Sequence, residues 1–448
     1  MFSLKLYPKN ISTDESSSSN HLIKVLLVLW LVTLPFGAKV GALSLGFLSI
    51  YPNFILTIIL TGVLAKSVLK WNKISLLIIA FFGLWLLVAL FWGFLNERNA
   101  NWKFDIRSLF MQFLYVFICI ASFYELKRPT FLEIFRKGTG FILIVILLFG
   151  IFEYLTGIHF QGTFTDKLYN IPEVTALFYA PSFVYDNPND YVQHYLLISI
   201  LFIVLNRASV FNNWIALLLG IIGFFFADIS GGRIGSVIAG MIILTSVLVI
   251  FIDLFKRKAN FNLGVIILGF VFTALLFLNN KVDLGPKYLG EPWDLQERFA
   301  DRFVEDTTAA PDYLNSSKVR MNLMLNGFQF VKESPILGIG PGQFRERHAN
   351  KMVLHPTDTV IGPHNYPLEL ISQYGVFGWG VLFMLFTLFI LLVKNFMKEK
   401  GGLWFVLLLP VFGLASIISS GFLYLDINHL FIGLVFTLVL TVPKLKSA

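Results

Sequence analysis

The stretch ISLLIIAFFGLWLLVALFWGFL, residues 74–95, decides the fold class of this chain because it is apolar throughout and carries no charged side chain. Roughly 20 consecutive apolar residues are enough for a helix to cross the hydrocarbon core of a bilayer. About twelve runs of this kind occur along the chain, and the second and fourth are the least regular. They lie at about 22–38, 42–65, 74–95, 105–124, 138–156, 190–206, 213–229, 235–254, 262–279, 376–393, 403–420 and 425–443. The sequence therefore predicts an all-α polytopic membrane protein with about twelve transmembrane helices.

The overall composition excludes a water-soluble globular protein. The 448 residues are 56% hydrophobic and 14% charged, and the mean hydropathy is +0.74, which leaves too little polar surface to cover the apolar mass. The single cysteine, Cys119, lies within the fourth run, so a disulfide framework and a cysteine-based metal site are both excluded. No small-residue cleavage site follows the first run, so an uncleaved first helix is expected after a short tail.

The positive charges predict the orientation of the chain in the membrane. With a cytoplasmic amino terminus, the cytoplasmic segments hold more than half of the 35 lysines and arginines, as the positive-inside rule requires. Both termini are then cytoplasmic, and three polar elements share the periplasmic side: the segment 156–189, the turn 230–233 and the long loop 280–375. The net charge of +8 reflects this topology, so nucleic acid is not an expected partner.

The predicted organisation has four parts, of which the long loop is the main polar one. The parts are a cytoplasmic tail at 1–21, helices one to nine with short loops at 22–279, the large periplasmic loop at 280–375, and helices ten to twelve with the cytoplasmic carboxyl terminus at 376–448. Within the loop, apolar residues recur at three- and four-residue spacing in Trp293–Phe303 and Lys318–Lys332. This spacing predicts two amphipathic helices.

Two arginines on the periplasmic side are candidates for anion binding. Arg233 follows two glycines in ADISGGRIG, at a helix boundary. Arg320 lies in the first turns of the amphipathic helix that is predicted to start near Ser316 and Ser317. Arginine offers a bidentate fork that fits phosphate oxygens. The alternatives are that Arg233 extends to the lipid headgroups and that Arg320 is simply solvated.

The glycine-rich segment GIGPGQF, Gly338–Phe344, is predicted to form a tight turn that returns the chain to the membrane. It is not a dinucleotide-binding fingerprint, because Gln343 stands where the third glycine would be and no βαβ unit is available. A structural role is therefore expected for these glycines.

A histidine and three asparagines complete the set of candidate residues. His364 and Asn365 precede the tenth run by one or two turns, and a histidine there is either a general base near neutral pH or an interfacial residue. The segment YDNPNDY predicts a helix start, with Asn187 and Asn189 on either side of Pro188. The histidines lack cysteine or carboxylate neighbours at familiar ligand spacing, so no metal and no other cofactor is predicted.

Taken together, these motifs resemble the O-antigen ligase and polymerase superfamily. The resemblance rests on the order of SGGRIG, an arginine-bearing helix that runs into SPILGIGPGQF, and HNYPLELISQYGVFGWG before the tenth run. DNPND is also similar to the asparagine–proline–asparagine step of many members. The resemblance covers roughly residues 185–383, and the predicted layout, with its large loop between helices nine and ten, is that of the family.

The resemblance implies an integral-membrane glycosyltransferase of the C-type architecture, which moves a glycan from an undecaprenyl-diphosphate donor to a hydroxyl acceptor at the inner membrane. Carried over residue by residue, Arg233 and Arg320 match the family's two functional arginines, and His364 matches its histidine. The arginines would stabilise the leaving diphosphate without a metal. A neutral His364 would take the proton of the acceptor hydroxyl, with inversion at the sugar carbon. Supporting roles in substrate binding are expected for Asn187, Asn189 and Asn365.

Several functions stay open at this point. Within the family, a ligase joins finished polysaccharide to lipid A-core, whereas a polymerase extends chains on the lipid carrier, and the single large loop favours the ligase. A lipid-linked glycan transporter or flippase is disfavoured because Glu153 and Asp228, the ionisable candidates, fall near helix ends rather than at mid-membrane. A carboxylate-dependent C-type glycosyltransferase is disfavoured because residues 38–41, the first outer loop, contain no acidic side chain.

Overall fold

The described part of the chain is a bundle of α-helices with one short hairpin. The computed structural model describes residues 17–36, 43–45, 48–95, 102–126, 128–159, 180–183, 185, 188–206, 210–230, 233–257, 316–357, 365–396, 403–418 and 426–440. The helices are α1 (Ser17–Thr33), α2 (Pro52–Leu64), α3 (Lys73–Leu95), α4 (Trp102–Glu125), α5 (Arg128–Thr156), α6 (Pro188–Leu205), α7 (Val210–Ile229), α8 (Arg233–Arg257), α9 (Ser316–Glu333), α10 (Gln343–Ala349), α11 (Tyr366–Tyr374), α12 (Val376–Phe396), α13 (Leu403–Ile418) and α14 (Asp426–Leu440). Two 3₁₀ turns, Leu34–Phe36 and Ala65–Lys70, extend α1 and α2.

Six helical segments in the described residues are long and apolar enough to cross a membrane. They are Pro52–Lys70, Lys73–Leu95, Asp105–Glu125, Arg128–Thr156, Ile234–Ile252 and Val376–Lys394. Four shorter apolar helices accompany them, at Asn20–Phe36, Asn213–Ile229, Leu403–Ser416 and Asp426–Leu440. The chain is therefore a multi-pass helical membrane protein, as predicted. The number of twelve spans stays a prediction, and the ninth predicted run, 262–279, lies outside the described residues.

The second predicted run, 42–65, is not one continuous helix. Strands β1 (Leu43–Leu45) and β2 (Leu48–Ile50) pair as an antiparallel hairpin, and α2 begins only at Pro52. The residue before a proline is pushed out of the helical region, and Tyr51 is extended, with φ −135° and ψ 161°. Proline itself fits the first helical position, where its missing N–H is not needed.

The centre of the bundle is formed by helices that are buried on all sides. Every residue from Ile427 to Leu440 of α14 is buried, and this helix packs against α4 and α6. The outer helices expose apolar side chains instead. On α3, Leu77, Leu87 and Phe91 are each more than 60% exposed, which is the pattern of a surface that faces lipid.

Polar contacts mark the two ends of α4. At one end, Lys70 Nζ donates to Glu125 Oε2 at 3.0 Å. At the other end, Asp105 Oδ2 accepts the backbone N–H of Gly342 at 2.7 Å. The segment 316–375, which contains α9, α10 and α11, therefore attaches to the bundle at the end that carries Asp105. We call this end, with the segments packed on it, the loop end.

Candidate functional site

The segment that follows α5 also reaches the loop end. Helix α5 follows α4 after a short turn beside Glu125, so its last turns return to the Asp105 end. There, Glu153 Oε2 accepts the backbone N–H groups of Ser182 and Phe183 at 2.6 and 2.7 Å. This carboxylate fixes the chain just before α6. Parts of the segment 156–189 and of the loop 280–375, both predicted to be periplasmic, thus lie at the same end of the bundle.

The start of α8, which carries Arg233, lies against the start of α6. Arg233 is the first residue of α8, and Asn189 is the second residue of α6. The two helices approach closely, since a Cβ atom placed on Gly235 would lie 2.8 Å from Val192 Cγ1. Asn187 lies outside the described residues. Arg233 and Asn189 are therefore on neighbouring helix starts at the loop end.

Arg320 is a half-buried cation on α9. It lies in the second turn of that helix, whose predicted start near Ser316 is confirmed. Val319 and Leu323 beside it are buried, whereas Met321 is 53% exposed, so Arg320 lies at the boundary of the packed face. Burial lowers the pKa of its guanidinium, which nevertheless stays cationic at neutral pH. Among the residues that the structure describes, it has neither an ion-pair nor a hydrogen-bond partner, so it is suited to bind an anion.

Helix α9 is attached through a buried asparagine. Asn326 Nδ2 donates to the carbonyl of His355 at 2.7 Å, and its Oδ1 accepts the N–H of the same residue at 3.0 Å. On the other side of the contact, Gly327 lies so close to Leu368 of α11 that an added Cβ would be 2.6 Å from Leu368 Cδ2. These contacts hold the arginine-bearing helix against α11.

The glycine-rich segment is a tight turn, as predicted, but it does not lead back to the membrane directly. Gly338, Gly340 and Gly342 all have positive φ values, of 73°, 97° and 73°, and the chain then enters α10. The turn is fastened to the end of α11, because the N–H of Gly340 donates to the carbonyl of Gln373 at 3.0 Å. A Cβ on Gly338 would lie 2.4 Å from the backbone of the same glutamine, so glycine is required for this close approach.

Helix α11 begins directly after the predicted base. Asn365 is its N-cap, and the Oδ1 of this side chain accepts the N–H of Leu368 at 3.1 Å. The fully buried Tyr366 approaches Gln112 of α4, with 3.5 Å between the hydroxyl and Nε2. His364 lies outside the described residues. The contact between Tyr366 and Gln112 shows that α11 begins beside the buried face of α4.

Comparison with known proteins finds a similar family. Residues 194–383 match the sequence model of the family described as O-Antigen ligase. The match covers less than half of the 448 residues and falls in the region where the motifs predicted the resemblance. The matched region contains Arg233, Arg320 and His364, and it begins after Asn187 and Asn189.

A similar protein is known from Bacillus subtilis (strain 168). The chain is 23% identical over 356 residues to its teichuronic acid biosynthesis protein TuaE. The alignment covers 75% of this chain and 66% of that relative, so this chain spans just under two thirds of its length. Both comparisons agree with the family that the motifs predicted.

Sequence reasoning missed a pair of buried acidic residues at the loop end. Asp105 and Glu369 are 2% and 4% exposed, and burial together with the charge of Asp105 raises the pKa of Glu369 to about 8. Arg345 of α10 acts in the opposite direction. The available signal was the position of Glu369 in HNYPLELISQYG, on a nine-residue helix that is buried almost throughout. Only the fold shows that Asp105 faces it.

Two further pairs of polar side chains are buried between the helices of the bundle. Tyr115 OH donates to Asn53 Oδ1 at 2.6 Å, and Gln193 Nε2 donates to Asn428 Oδ1 at 3.2 Å. All four residues are buried. Buried polar groups in membrane helices are costly and commonly mark the path or site of a polar substrate. The interior of the bundle therefore contains bonded polar pairs as well as apolar side chains.

Proposed function

We propose that this chain is an integral-membrane glycosyltransferase that moves a glycan from undecaprenyl diphosphate to a hydroxyl group of lipid A-core. It acts in the bacterial inner membrane, with the loop end in the periplasm and both termini in the cytoplasm. The observation that carries the proposal is Arg320, a half-buried cation without a partner among the described residues. It lies within the region that matches the ligase family.

Arg233 and Arg320 bind the diphosphate of the donor. Negative charge develops on this leaving group as the glycosidic bond breaks, and cations held in place before the reaction stabilise that charge most strongly where water is scarce. The planar guanidinium matches phosphate oxygens through paired hydrogen bonds. The arginines take the role that a metal ion has in other transferases, so transfer is expected to continue in the presence of EDTA.

His364 acts as the general base. A neutral imidazole accepts the proton of the acceptor hydroxyl while that oxygen attacks the sugar carbon from the face opposite the diphosphate, which inverts the configuration. Asn365 supports this role, because its side chain caps α11 and fixes the helix start next to the histidine. We assign further substrate contacts to Asn187, which precedes α6, and to Asn189 in the first turn of α6.

The surface of α9 supports a substrate that is carried by a lipid. Met321, Leu325 and Phe328 are 53%, 40% and 58% exposed, and their spacing places them on one face of the helix. This apolar stripe lies beside Arg320. A donor with an apolar chain and a diphosphate group presents the two chemistries that the stripe and the arginine match.

A polymerase is the second candidate function. One specific observation favours it: the similar protein from Bacillus subtilis is named for the biosynthesis of teichuronic acid. In this case the acceptor hydroxyl belongs to a glycan on a second lipid carrier. The roles of the two arginines and of His364 stay the same.

Transfer by the purified full-length protein tests the proposal. The donor is an undecaprenyl-diphosphate-linked oligosaccharide, offered with lipid A-core or without it, and the products are resolved by size. Product that requires lipid A-core supports the ligase, and a ladder of carrier-linked chains without it supports the polymerase. His364→Ala should lose activity in either case, whereas His355→Ala, which keeps the backbone bonds to Asn326, should retain it. Full transfer by His364→Ala would remove the base role.

A further inference from the structure

Side chains from two distant parts of the chain meet around the backbone N–H of Gly342. This N–H donates to Asp105 Oδ2 at 2.7 Å and to Gln373 Oε1 at 2.8 Å. The Nε2 of Gln373 lies 3.5 Å from Oε1 of Glu369. All three side chains are nearly inaccessible, at 2%, 1% and 4% exposure for Asp105, Gln373 and Glu369. Helix α4, the glycine turn and α11 are thus joined at a single point.

Burial and the charges around Glu369 together determine its protonation. Asp105 of α4 raises its pKa, Arg345 of α10 lowers it, and Tyr366 on the same helix interacts with it. Burial is the largest influence and brings the pKa to about 8. The negative charge of Asp105, whose Oδ2 accepts the N–H of Gly342, opposes the ionisation of Glu369. Glu369 is then mainly a neutral acid at pH 7.

We propose that Asp105, Glu369 and Gln373 form a proton-dependent clamp that holds α11 and the glycine turn against α4. Because Glu369 is neutral, its carboxyl group can stay buried beside that of Asp105. When Glu369 ionises, two buried negative charges lie close together, and the N–H of Gly342 and the charge of Arg345 offset this cost only in part. The clamp then opens or admits water.

The clamp positions the site and takes no part in the chemistry. It holds the carboxyl-terminal end of α11, while Tyr366 and Gln112 hold the other end. The two contact residues on α4, Asp105 and Gln112, are seven positions apart, about 10 Å along the helix. Helix α11 therefore lies along α4 between them. His364 lies two residues before Tyr366 in the sequence. The step from clamp to activity rests on the function proposed above for His364.

The pKa of Glu369 sets the direction of the pH dependence. Its ordinary value is 4.5, and in the clamp it is about 8. The docked state therefore holds a proton that the undocked state has released, so docking is strongest below about pH 4.5. It weakens as the pH rises to about 8, by up to tenfold per pH unit, and changes no further above that value.

Amide hydrogen exchange of the full-length protein tests the clamp without any substrate. Exchange of residues 338–349 is measured from pH 6 to pH 9 and corrected for the intrinsic pH dependence. In the wild type, protection should fall at least tenfold between pH 6 and pH 8, and in Glu369→Gln it should stay at the pH 6 level. Glu346→Gln is the matched control, because Glu346 lies in the same segment on α10 and its Oε1 accepts the side-chain N–H of Asn350; it should follow the wild type. Equal pH profiles for Glu369→Gln and wild type would overturn the proposal.

A second variant keeps the test decisive if Glu369→Gln does not fold. Asp105→Asn removes the charge that opposes ionisation of Glu369, so the fall in protection should end at a lower pH than in the wild type. An unchanged profile in this variant would also overturn the clamp.

Transfer assays then separate the clamp from the proposed function. With the clamp, the loss of turnover from pH 7 to pH 9 should be smaller in Glu369→Gln than in the wild type. An inactive wild type with the expected exchange profile would refute the function and leave the clamp intact. Active proteins with identical pH profiles of turnover would remove the positioning role.

Discussion

The two ends of α4 each carry a buried carboxylate, and the two carboxylates have different neighbours. Glu125 accepts the ammonium of Lys70 at 3.0 Å, so a negative charge meets a positive one. Asp105 accepts the N–H of a residue 237 positions away and lies beside a second carboxyl group, that of Glu369. An ion pair of the first kind is an ordinary structural contact, whereas two buried carboxyl groups are costly and typical of sites with a function. The comparison indicates that the Glu125 end serves stability and the Asp105 end serves the site.

The largest effect on stability is expected at the glycine turn of the loop end. Gly338→Ala places a Cβ 2.4 Å from the backbone of Gln373, at a φ of 73°, so it should cost about 3 kcal/mol or more. Thermal unfolding of the purified protein measures the loss, and transfer should fall with it. Gly413→Ala is the control, because a Cβ there meets nothing within 4 Å. Similar unfolding temperatures for the two variants would contradict the tight packing of the turn.

A smaller effect is expected where α9 is attached. Asn326→Ala leaves the part-buried N–H and carbonyl of His355 without the Asn326 side chain, which costs roughly 1–3 kcal/mol. Hydrogen exchange of residues 351–357 should rise, while exchange in α4 stays unchanged. Asn322→Ala removes one exposed bond to Pro356 and should have little effect on either region. Uniform loss of protection throughout the protein would show that α9 is not a separately attached element.

The smallest effect is expected at the opposite end of the bundle. Water can reach Lys70, which is 31% exposed, and glutamine still offers an oxygen acceptor at the buried position. Glu125→Gln should therefore cost roughly 1 kcal/mol and leave transfer unchanged. Thermal unfolding and the transfer assay measure the two quantities. Strongly reduced transfer in a stable Glu125→Gln protein would show that this end also takes part in the function. The two ends would then not differ in the way described above.

Much of the fold could be predicted from local patterns in the sequence. The apolar run at 74–95 corresponds to α3, and the three- and four-residue spacing of Lys318–Lys332 corresponds to α9, because both signals depend only on neighbouring residues. The run 42–65 misled the prediction, since the strands before Pro52 are as apolar as a membrane helix. Apolar length alone does not separate the two structures.

The candidate site could be predicted less completely. The ordered motifs pointed to the region that the family comparison matches, and Arg320 and Asn365 are both found at the loop end. Asp105 and Glu369 escaped notice, because each is a single acidic residue in an unremarkable local context. Their significance comes from a contact across more than 200 positions of sequence, which no local pattern contains.

The proposed function depends most on Arg320, which is expected to stabilise the diphosphate that leaves the glycan. The most direct measurement is the single-turnover rate of glycan transfer from an undecaprenyl-diphosphate donor by the wild type, by Arg320→Ala and by Lys332→Ala. Lys332 is an exposed cation at the far end of the same helix, so its variant controls for the charge and folding of α9. If Arg320 has this role, Arg320→Ala should slow transfer roughly 100- to 1,000-fold, while Lys332→Ala should react at the wild-type rate. Equal rates for Arg320→Ala and the wild type would contradict it.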